Sequence, residues 1–245
     1  MEMIKLTEEI KKLQNIIDES NNIVFFGGAG VSTESGIKDF RGKNGLYKTD
    51  YEGYSPEYLL SHDCLVENTK IFYKYYREFL NNENVEPNIT HKFLKELEDS
   101  GKLKAIVTQN IDGLHEKAGS KNVLNIHGSV LRNYCMKCNK EYESDYIFKS
   151  SGIPKCDCGG LIRPDVVLYG EMLNEEFDKA IDYISKCDTL IVAGTSLSVY
   201  PAASLVRYFN GKHLVIINDM FTPYDNLAEL VIHDSLGNVI SNLHK

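Results

Sequence analysis

Short apolar runs rich in β-branched residues alternate along this chain with helical patterns, and no other feature restricts the possible folds as strongly. The runs are apolar at nearly every position, as in parallel strands that helices cover on both faces. The chain is therefore predicted to be an α/β protein with a doubly wound, mostly parallel, Rossmann-like sheet. The first predicted strand directly follows an N-terminal helix, and the others lie at residues 103–108, 123–126, 166–169, 189–193 and 214–217.

Helical patterns, in which apolar residues recur every three or four positions, separate most of these strands. At the N-terminus this spacing joins Leu6, Ile10, Leu13 and Ile17, which predicts an amphipathic helix of about fifteen residues. Glycines mark the ends of two later helices. The predicted helices after the first span residues 91–99, 174–186 and 201–210.

Two segments interrupt the alternation and are predicted to be attached to the sheet domain. Residues 45–90 are aromatic and polar without a clear strand, and we interpret them as a helical insertion. Residues 130–163 carry four of the six cysteines and form a predicted zinc-binding module. The Rossmann-like domain is then assembled from residues 1–44, 91–129 and 164–245.

The bulk composition excludes several classes of protein. With 245 residues, 42% of them apolar and 25% charged, the chain suits a globular fold with one large core and a smaller attached unit. A net charge of −8 argues against general affinity for nucleic acid. No apolar run approaches the roughly 18 residues of a membrane span, and the charged N-terminus differs from a signal peptide. We therefore expect a cytoplasmic monomer without nucleic-acid or membrane partners.

The segment FFGGAGVSTESGIKDFRG, residues 25–42, has the order strand, glycine turn and helix start. This order places backbone N–H groups and a partial positive charge where a pyrophosphate can bind. Thr33 stands where the usual dinucleotide fingerprint has a third glycine, which argues against an ordinary dehydrogenase. The loop continues through Asp39, Phe40 and Arg41, and the Arg41 guanidinium is suited to a phosphate. A purely structural glycine turn is the alternative.

Polar residues follow two of the predicted strands directly. Gln109, Asn110 and Asp112 follow one of them, and His127 follows the next. Ligands of open parallel sheets bind beyond the carboxyl ends of the strands, so these side chains and the glycine turn should face one crevice. An imidazole with an ordinary pKa of about 6.5 suits a general base. The alternatives are a polar turn for the first group and a structural histidine for the second.

Polar residues also follow the last two predicted strands. Thr195 and Ser196 are placed to bond ribose or phosphate, and Asn218 and Asp219 are placed to bond the ribose hydroxyls of an adenosine. Capping of the following helix by a serine or threonine explains the first pair about equally well.

Four cysteines have nearly the spacing of a zinc ribbon. Two residues separate Cys135 from Cys138, one residue separates Cys156 from Cys158, and 17 residues lie between the pairs. Disulfides explain the pattern less well, because thiols stay reduced in the cytoplasm. Four thiolates complete a tetrahedral site without an open position, so the predicted zinc organises the module and takes no part in the chemistry.

Six motifs occur in the order and spacing of one protein family. They are GAGVSTESGIKDFRG, TQNIDGLHEKAG, NIHGSV, the two cysteine pairs, RPDVVLYGE and GTSLSVYPAA, and the similarity that they carry runs from about residue 23 to residue 219. In these motifs the chain resembles the sirtuins, the NAD-dependent protein lysine deacylases, of the bacterial type. The resemblance implies a Rossmann-like domain that binds NAD, a structural zinc ion, and acetylated proteins or peptides as substrates.

The resemblance also implies a role for each matching residue. The implied NAD-binding residues are Ala29, Gly30, Thr33, Asp39, Phe40, Arg41, Gln109, Asn110, Ile111, Asp112, His127, Gly194, Thr195, Ser196, Asn218 and Asp219. Among them, His127 and Asn110 match the catalytic residues, with His127 as the general base, and Phe40 and Arg41 match the mobile flap over the nicotinamide end of NAD. The implied reaction is attack of the acyl-lysine oxygen on the nicotinamide ribose, which expels nicotinamide, followed by activation of a ribose hydroxyl by His127. Its products are lysine, nicotinamide and acylated ADP-ribose.

Two loops match the segments between which the family clamps a substrate peptide by backbone pairing. The implied substrate-binding residues are Val167, Tyr169, Gly170, Glu171 and Val199, with Tyr73 and Tyr76 at the acyl pocket. Family members that prefer succinyl groups have a Tyr-x-x-Arg pair at this pocket, whereas here Tyr76 replaces the arginine and Arg77 is one position away. Because no cation is aligned with a second carboxylate, the chain is predicted to prefer neutral acyl groups such as acetyl.

Three other functions are compatible with parts of this pattern. A dehydrogenase would share the fold, but it needs a dedicated proton donor beside the hydride acceptor. ADP-ribosyl transfer to a protein side chain would use the same sugar chemistry with a different acceptor. A zinc-ribbon adaptor that only senses NAD would function without His127.

Overall fold

The computed structural model describes residues 2–39, 45 and 50–243 of the chain. The strands of this described part are β1 (Ile23–Gly27), β2 (Leu103–Thr108), β3 (Val123–Asn125), β4 (Gly128–Cys135), β5 (Glu141–Glu143), β6 (Ile162–Val166), β7 (Thr189–Ala193), β8 (His213–Ile217) and β9 (Leu230–Ile232). Six of them form a parallel sheet in the order β3-β2-β1-β7-β8-β9, so the strand order reverses between β1 and β7. The predicted doubly wound, Rossmann-like sheet is confirmed.

Helices cover both faces of this sheet, because successive residues of a strand point in opposite directions. The α-helices of the described residues are α1 (Glu2–Glu19), α2 (Pro56–Leu59), α3 (His62–Glu67), α4 (Thr69–Phe79), α5 (Ile89–Asp99), α6 (Leu114–Lys117), α7 (Ser144–Phe148), α8 (Glu176–Lys186) and α9 (Leu236–Ser241). Phe25 belongs to a core shared with α1, α5 and α9, whereas Phe26 belongs to a core shared with α8. None of these helices combines the length and the apolar character that crossing a membrane requires.

The second sheet has three antiparallel strands in the order β5-β4-β6. We call these strands, together with α7 and the residues between them, the cysteine module, because the four predicted zinc ligands lie in it. A third core joins it to the helices that precede it, with Phe72 of α4 packed in one cluster with Ile147 and Ile162 of the module. The helices predicted between residues 45 and 90 are thus present as α2, α3 and α4. The domain boundaries stay a prediction.

One predicted strand of the main sheet is wrong. The sequence predicts a strand at residues 166–169, but the strand there is β6, which ends at Val166 and pairs with β4 in the cysteine module. Beyond it, Val167 donates its N–H to the His127 carbonyl and Tyr169 donates to the Leu60 carbonyl. Beyond β6 the apolar run is therefore bonded to the turn between β3 and β4 and to the loop before α3, and a pattern of apolar residues does not distinguish such irregular bonds from a strand.

The predicted helix at residues 201–210 also differs in type. It is a 3-10 helix at Ala202–Tyr208, and the N–H of Ser204 donates to the Pro201 carbonyl three residues earlier. Over seven residues, apolar positions alone do not separate a repeat of about 3.0 from one of about 3.6. The three-residue strand β9 is absent from the sequence prediction.

The loops that follow β1 and β7 touch at two glycines. The Gly30 N–H donates to the Gly194 carbonyl at 2.8 Å, and a Cβ on Gly30 would lie 2.7 Å from the Gly194 Cα. Gly194 has a φ of +60°, and a Cβ on it would lie 2.6 Å from the Val31 nitrogen. Only glycine at both positions permits this approach, which brings the two loops together at the carboxyl edge of the sheet.

Replacing Gly194 with alanine tests this contact, and Gly101 is the matched control. Both have a positive φ, but an added Cβ on Gly101 (φ +76°) meets no atom within 4 Å. An alanine in the left-handed backbone conformation costs about 1–2 kcal/mol, so Gly101→Ala should lower the free energy of unfolding by that amount. Gly194→Ala should lower it by about 3 kcal/mol or more, because the clash adds to this cost. Urea unfolding measures both values, and equal losses would contradict the contact.

Candidate functional site

The carboxyl edge of the main sheet collects the polar residues that follow its strands. Backbone bonds continue beyond the strand ends, since the Gln109 N–H donates to Gly27 at 3.0 Å and the Gly28 N–H donates to Ala193 at 3.2 Å. The loops after β2, β1 and β7 therefore leave the sheet side by side, and β3 with His127 at its end lies next to β2. The strand order thus places the loops after β1, β2 and β7 at one edge of the sheet, as the sequence analysis expected.

A buried serine connects two of the predicted residues. Ser32, in the glycine loop (residues 28–36), donates to the Asp112 carboxylate at 2.7 Å and accepts from the Asn110 amide at 3.0 Å. The other Asp112 oxygen accepts the Leu114 N–H at 2.9 Å. Burial raises the pKa of Asp112, although the bonds from Ser32 and Leu114 favour its charged form. The sequence analysis did not assign a role to Ser32. Its position within the glycine loop is the one sequence feature that could have indicated such a role.

Gln109 joins the loop after β2 to the loop after β7. Its side-chain amide donates to the Thr195 hydroxyl at 2.9 Å. Thr195 is buried, and its hydroxyl also accepts the Leu197 N–H at 3.3 Å. Ser196 is half-buried, and its hydroxyl lies 2.6 Å from the Ser198 hydroxyl. Thr195 is therefore engaged by protein groups, whereas Ser196 is accessible from the carboxyl edge.

A cavity of about 240 Å³ lies between the glycine loop and the end of α4, and we call it the glycine-loop cavity. Four of the predicted NAD-binding residues line it, namely Ala29, Asn110, Ile111 and Asp112. The sequence analysis did not propose the rest of the lining, which consists of Ser32, Gly36, Ile37, Lys38, Glu78, Phe79, Leu80, Asn81, Asn82 and Val85. The lining residues at the end of α4 are far in sequence from the glycine loop and lie beside it only in the folded protein, so no local sequence pattern indicates them.

His127 has a defined orientation at the end of β3. Its Nδ1 lies 3.0 Å from the Gln109 carbonyl oxygen. Because a carbonyl only accepts hydrogen bonds, Nδ1 carries the hydrogen and Nε2 carries the lone pair. Burial lowers the pKa of His127 below its ordinary value, and the bond to Gln109 raises it by less. The imidazole is therefore neutral near pH 7 and can accept a proton at Nε2.

The four predicted metal ligands come together in the cysteine module. Their Sγ atoms all lie within 4.8 Å of one another, with 3.5 Å between Cys135 and Cys158 and 3.6 Å between Cys138 and Cys156. A zinc ion with Zn–S bonds of about 2.3 Å holds its four sulfurs about 3.8 Å apart. Gly160 permits the cluster, since a Cβ there would lie 2.6 Å from the Cys135 Sγ. The thiols therefore fit one tetrahedral zinc ion.

Comparison with known proteins agrees with this geometry. The model of the Sir2 family matches residues 28–201. An NAD-dependent protein deacetylase of Clostridium acetobutylicum is 54% identical over 242 residues, which cover 97% of this chain and 99% of that protein. The chain belongs to the Sir2 family. An NAD-dependent protein deacetylase of Cutibacterium acnes is 50% identical over 237 residues, which cover 96% of this chain and 97% of that protein.

Solved sirtuin structures have the same fold as this chain. A Sir2 complex with p53 peptide and NAD+ matches with a TM-score of 0.83 at 38% identity, and the match covers 95% of both chains. A Sir2 variant with deacetylated p53 peptide and 3'-O-acetyl ADP ribose matches with a TM-score of 0.86 at 38% identity, covering 95% of this chain and 96% of that one.

Residues 167–171 of this sirtuin, which we call the substrate segment, are fixed at both ends. The N–H of Val167 donates to the His127 carbonyl at 2.9 Å. The Tyr169 N–H donates to the Leu60 carbonyl at 2.9 Å, and the Tyr169 carbonyl accepts the His62 N–H at 3.0 Å. Gly170 is exposed, and Val199 on the loop after β7 is half-buried. Peptide binding by these residues stays a prediction.

The carboxylate of Glu171, at the end of the substrate segment, is engaged inside the protein. It accepts two hydrogen bonds from the Arg163 guanidinium, at 2.5 and 2.9 Å, and lies 3.0 Å from Nδ1 of His62. Although burial raises the pKa of Glu171, the bonds from Arg163, the Leu168 N–H and His62 lower it to about 2. A peptide would therefore meet the backbone of Glu171 and not its carboxylate.

Tyr73 and Tyr76 belong to the third core, against which the predicted NAD-binding residue Ile111 also packs. Both are 0% exposed, and the Tyr73 hydroxyl donates to the Ile162 carbonyl at 2.5 Å. The Tyr76 ring stacks between Phe72 and Phe148, with centroid distances of 5.7 and 5.5 Å. Packing against the cysteine module is the role that the structure shows for these two rings. Their expected contact with an acyl group is not seen here and stays a prediction.

Three predicted NAD-binding residues lie at the periphery of the site. Thr33 is exposed and donates to the Gly30 carbonyl at 3.0 Å. Asn218 follows β8, and its side-chain amide donates to the Met220 carbonyl at 2.7 Å. Asp219 is exposed beside it. These side chains are accessible from the carboxyl edge, and their contacts with NAD stay predictions.

The flap that the sequence predicts begins at the rim of the glycine-loop cavity. Ile37 and Lys38 line the cavity, and Asp39 after them is half-buried. Phe40 and Arg41 lie outside the described residues. The expectation that these two side chains cover the nicotinamide end of NAD therefore stays a prediction.

The Glu171 pair should give the unfolding of this sirtuin a defined pH dependence. At pH 7, Glu171→Gln should lower the free energy of unfolding by about 2 kcal/mol after allowance for solvent screening. The native carboxylate stays charged down to a pH of about 2, whereas an unfolded one is protonated at about 4.3. The stabilisation is therefore complete above pH 4.3 and is lost as the pH falls from there toward 2.

Urea unfolding of the wild type and the variant between pH 7 and pH 3.5 measures this effect. Glu175→Gln is the control, because Glu175 forms an exposed pair with Lys179 four residues away. Such pairs contribute little, so this variant should unfold like the wild type at every pH. A difference between wild type and Glu171→Gln that stays constant with pH would contradict the argument.

Proposed function

We propose that this sirtuin is an NAD-dependent protein deacetylase, which converts acetyl-lysine, NAD and water to lysine, nicotinamide and O-acetyl-ADP-ribose. Relatives that are 54% and 50% identical over nearly the whole chain carry this activity in their names. The observation that carries the proposal is the orientation of His127. Its Nδ1 is held by the Gln109 carbonyl, so that Nε2 is the basic atom, at the same sheet edge as the glycine loop.

His127 is the proposed general base. When bound, NAD supplies a ribose carbon that the acetyl oxygen attacks as nicotinamide departs. Nε2 of His127 then accepts the proton of a ribose hydroxyl. Its lowered pKa keeps this nitrogen unprotonated near pH 7. The Gln109 carbonyl stabilises the ring after protonation, because the hydrogen bond from Nδ1 is retained and becomes charge-assisted.

Ser32, Asn110 and Asp112 are proposed to orient the nicotinamide end of NAD. Their mutual hydrogen bonds fix the amide and carboxyl groups before a ligand arrives, which reduces the cost of ordering them during the reaction. Ser32 engages one amide hydrogen of Asn110 and leaves the second hydrogen and the amide oxygen for the ligand. The glycine loop is proposed to lie beside the pyrophosphate of NAD, and the N–H groups of Gly28, Gly30 and Gly36 hold the shape of the loop by bonding protein carbonyls.

Zinc in the four-cysteine site is proposed to hold the cysteine module together and to take no part in catalysis. A closed set of four thiolates has no coordination position for water or substrate. The ligands must stay deprotonated and reduced, which the cytoplasm maintains. We therefore place the protein in the cytoplasm.

Acetylated proteins are the proposed partners. The substrate segment and the loop that carries Val199 offer backbone groups at the carboxyl edge, where an extended peptide can pair with them. The N–H of Val167 already donates to His127, which joins the proposed peptide site to the general base. Since main-chain pairing reads little of the flanking sequence, many acetylated peptides should be accepted.

Incubation of an acetylated peptide with NAD, followed by mass spectrometry, tests the proposed function. Deacetylation produces the free peptide, nicotinamide and O-acetyl-ADP-ribose in equal amounts. A peptide that gains ADP-ribose would indicate ADP-ribosyl transfer, and formation of NADH would indicate a dehydrogenase. Binding of NAD without any turnover would indicate an adaptor.

Replacing His127 with alanine should lower turnover by at least about a hundredfold, because the proton acceptor is lost. Far-UV circular dichroism and zinc content should match those of the wild type, since within the described part of the chain the ring is bonded only through Nδ1. His213→Gln is the control, as this histidine begins β8 at the opposite edge of the sheet and bonds the Glu229 carboxylate. A His127→Ala variant with near-normal turnover would rule out the general-base role.

The pH profile of kcat/KM gives a second check on His127. Its pKa is lowered by burial, so the ring loses its proton at a pH below the ordinary midpoint of about 6.5. Activity should therefore fall on the acid side with a midpoint below 6.5. An acid limb centred above that value would require a different base.

Deacetylation should be faster than desuccinylation on one matched peptide. Tyr76 is packed between aromatic rings, and the neighbouring Arg77 is bonded to the cysteine module, so neither offers a cation to a second carboxylate. A buried carboxylate without a partner costs several kcal/mol, which corresponds to at least about a hundredfold in kcat/KM. Mass spectrometry measures the initial rates of both reactions, and faster desuccinylation would refute the predicted preference for acetyl groups.

A further inference from the structure

Arg77 stands beside the predicted acyl pocket in sequence, but its guanidinium is bonded to the cysteine module. Nε donates to the Ile147 carbonyl at 2.9 Å, and Nη2 donates to the Ser150 hydroxyl at 2.9 Å and the Gly152 carbonyl at 2.6 Å. The same group lies over the Tyr73 ring, 5.4 Å from its centroid. The planar guanidinium satisfies three acceptors at once, which an ammonium group does less well.

The stretch that Arg77 binds leads directly into the zinc site. Ile147 lies in the last turn of α7, is completely buried, and packs in one core with Cys135 and Cys156. Gly152 stands four residues before Cys156. The positive charge of Arg77 also faces the C-terminus of α7, where the partial charge of a helix is negative. Loss of Arg77 should therefore loosen the chain just before a zinc ligand.

On its other side, Arg77 is continuous with the wall of the glycine-loop cavity. Glu78, Phe79 and Leu80 follow it at the end of α4, and all three line the cavity together with Asn110 and Asp112. No flexible linker separates the two functions, because Arg77 and Phe79 belong to one helix. The position of this cavity wall therefore depends on how α4 is fastened to the cysteine module.

We propose that Arg77 is a positioning residue that couples the cysteine module to the glycine-loop cavity and thereby sets the affinity for NAD. The inference rests on the proposed function in that NAD is the ligand of this cavity. Coupling of this kind is a free energy shared by two sites, so one substitution should change both the retention of zinc and the binding of NAD.

Three variants of the zinc-loaded protein test the coupling. Arg77→Ala removes all three hydrogen bonds, and Arg77→Lys retains the charge without the planar fork. Lys70→Ala is the matched control, because Lys70 is an exposed cation seven residues earlier on the same helix. Calorimetric titration measures the Kd for NAD, and a coloured chelator measures the rate of zinc release.

For Arg77→Ala we expect zinc release to become about tenfold faster and the Kd for NAD to rise about tenfold. Arg77→Lys should change both quantities in the same direction by less, and it carries the test if the alanine variant does not fold. Lys70→Ala should change neither. An unchanged Kd for NAD beside faster zinc release, or the reverse, would overturn the coupling. Failure of the wild type to bind NAD would instead overturn the proposed function, and the coupling with it.

Discussion

The approach of the loops after β1 and β7 through Gly30 and Gly194 is the contact on which the site depends. The loops meet because β1 and β7 are neighbours at the point where the strand order reverses. A side chain at either glycine would occupy the space of the other backbone, so the contact is set by sterics before any hydrogen bond is counted. The neighbouring Gln109–Thr195 bond and the Ser32 cluster complete the same edge.

Burial gives the site its chemical character. It disfavours charge on His127 and on Asp112, so the imidazole is neutral near pH 7 and the pKa of the carboxyl is raised. Both groups are nevertheless fixed by hydrogen bonds, to the Gln109 carbonyl and to Ser32. A site of this kind can move a proton without first rearranging, since donors and acceptors are already in position. The zinc cluster contributes by stabilising the module that packs against α4 and that Arg77 binds.

Sequence and structure agree best where the signal is local. Polar residues directly after apolar strands, such as Asn110 and His127, were predictable because the carboxyl ends of parallel strands share one edge. The cysteine spacing was equally direct, as it specifies which residues close a tetrahedron. Prediction failed at residues 166–169, where an apolar run continues past β6 in irregular bonds to His127 and Leu60, and it missed Ser32 and the end of α4. These depend on contacts between distant parts of the chain.

The sequence by itself determined the fold class and the ligand set of the zinc site, and it singled out His127 as the proposed base, because each follows from short-range spacing and side-chain chemistry. Only the tertiary structure decided that Tyr73 and Tyr76 are packed in a core and that Glu171 is occupied by Arg163. It also decided that Arg77 faces the cysteine module instead of an acyl group. The reason is physical: the direction of a side chain is set by which distant surface buries it, and spacing along the chain carries no record of that surface.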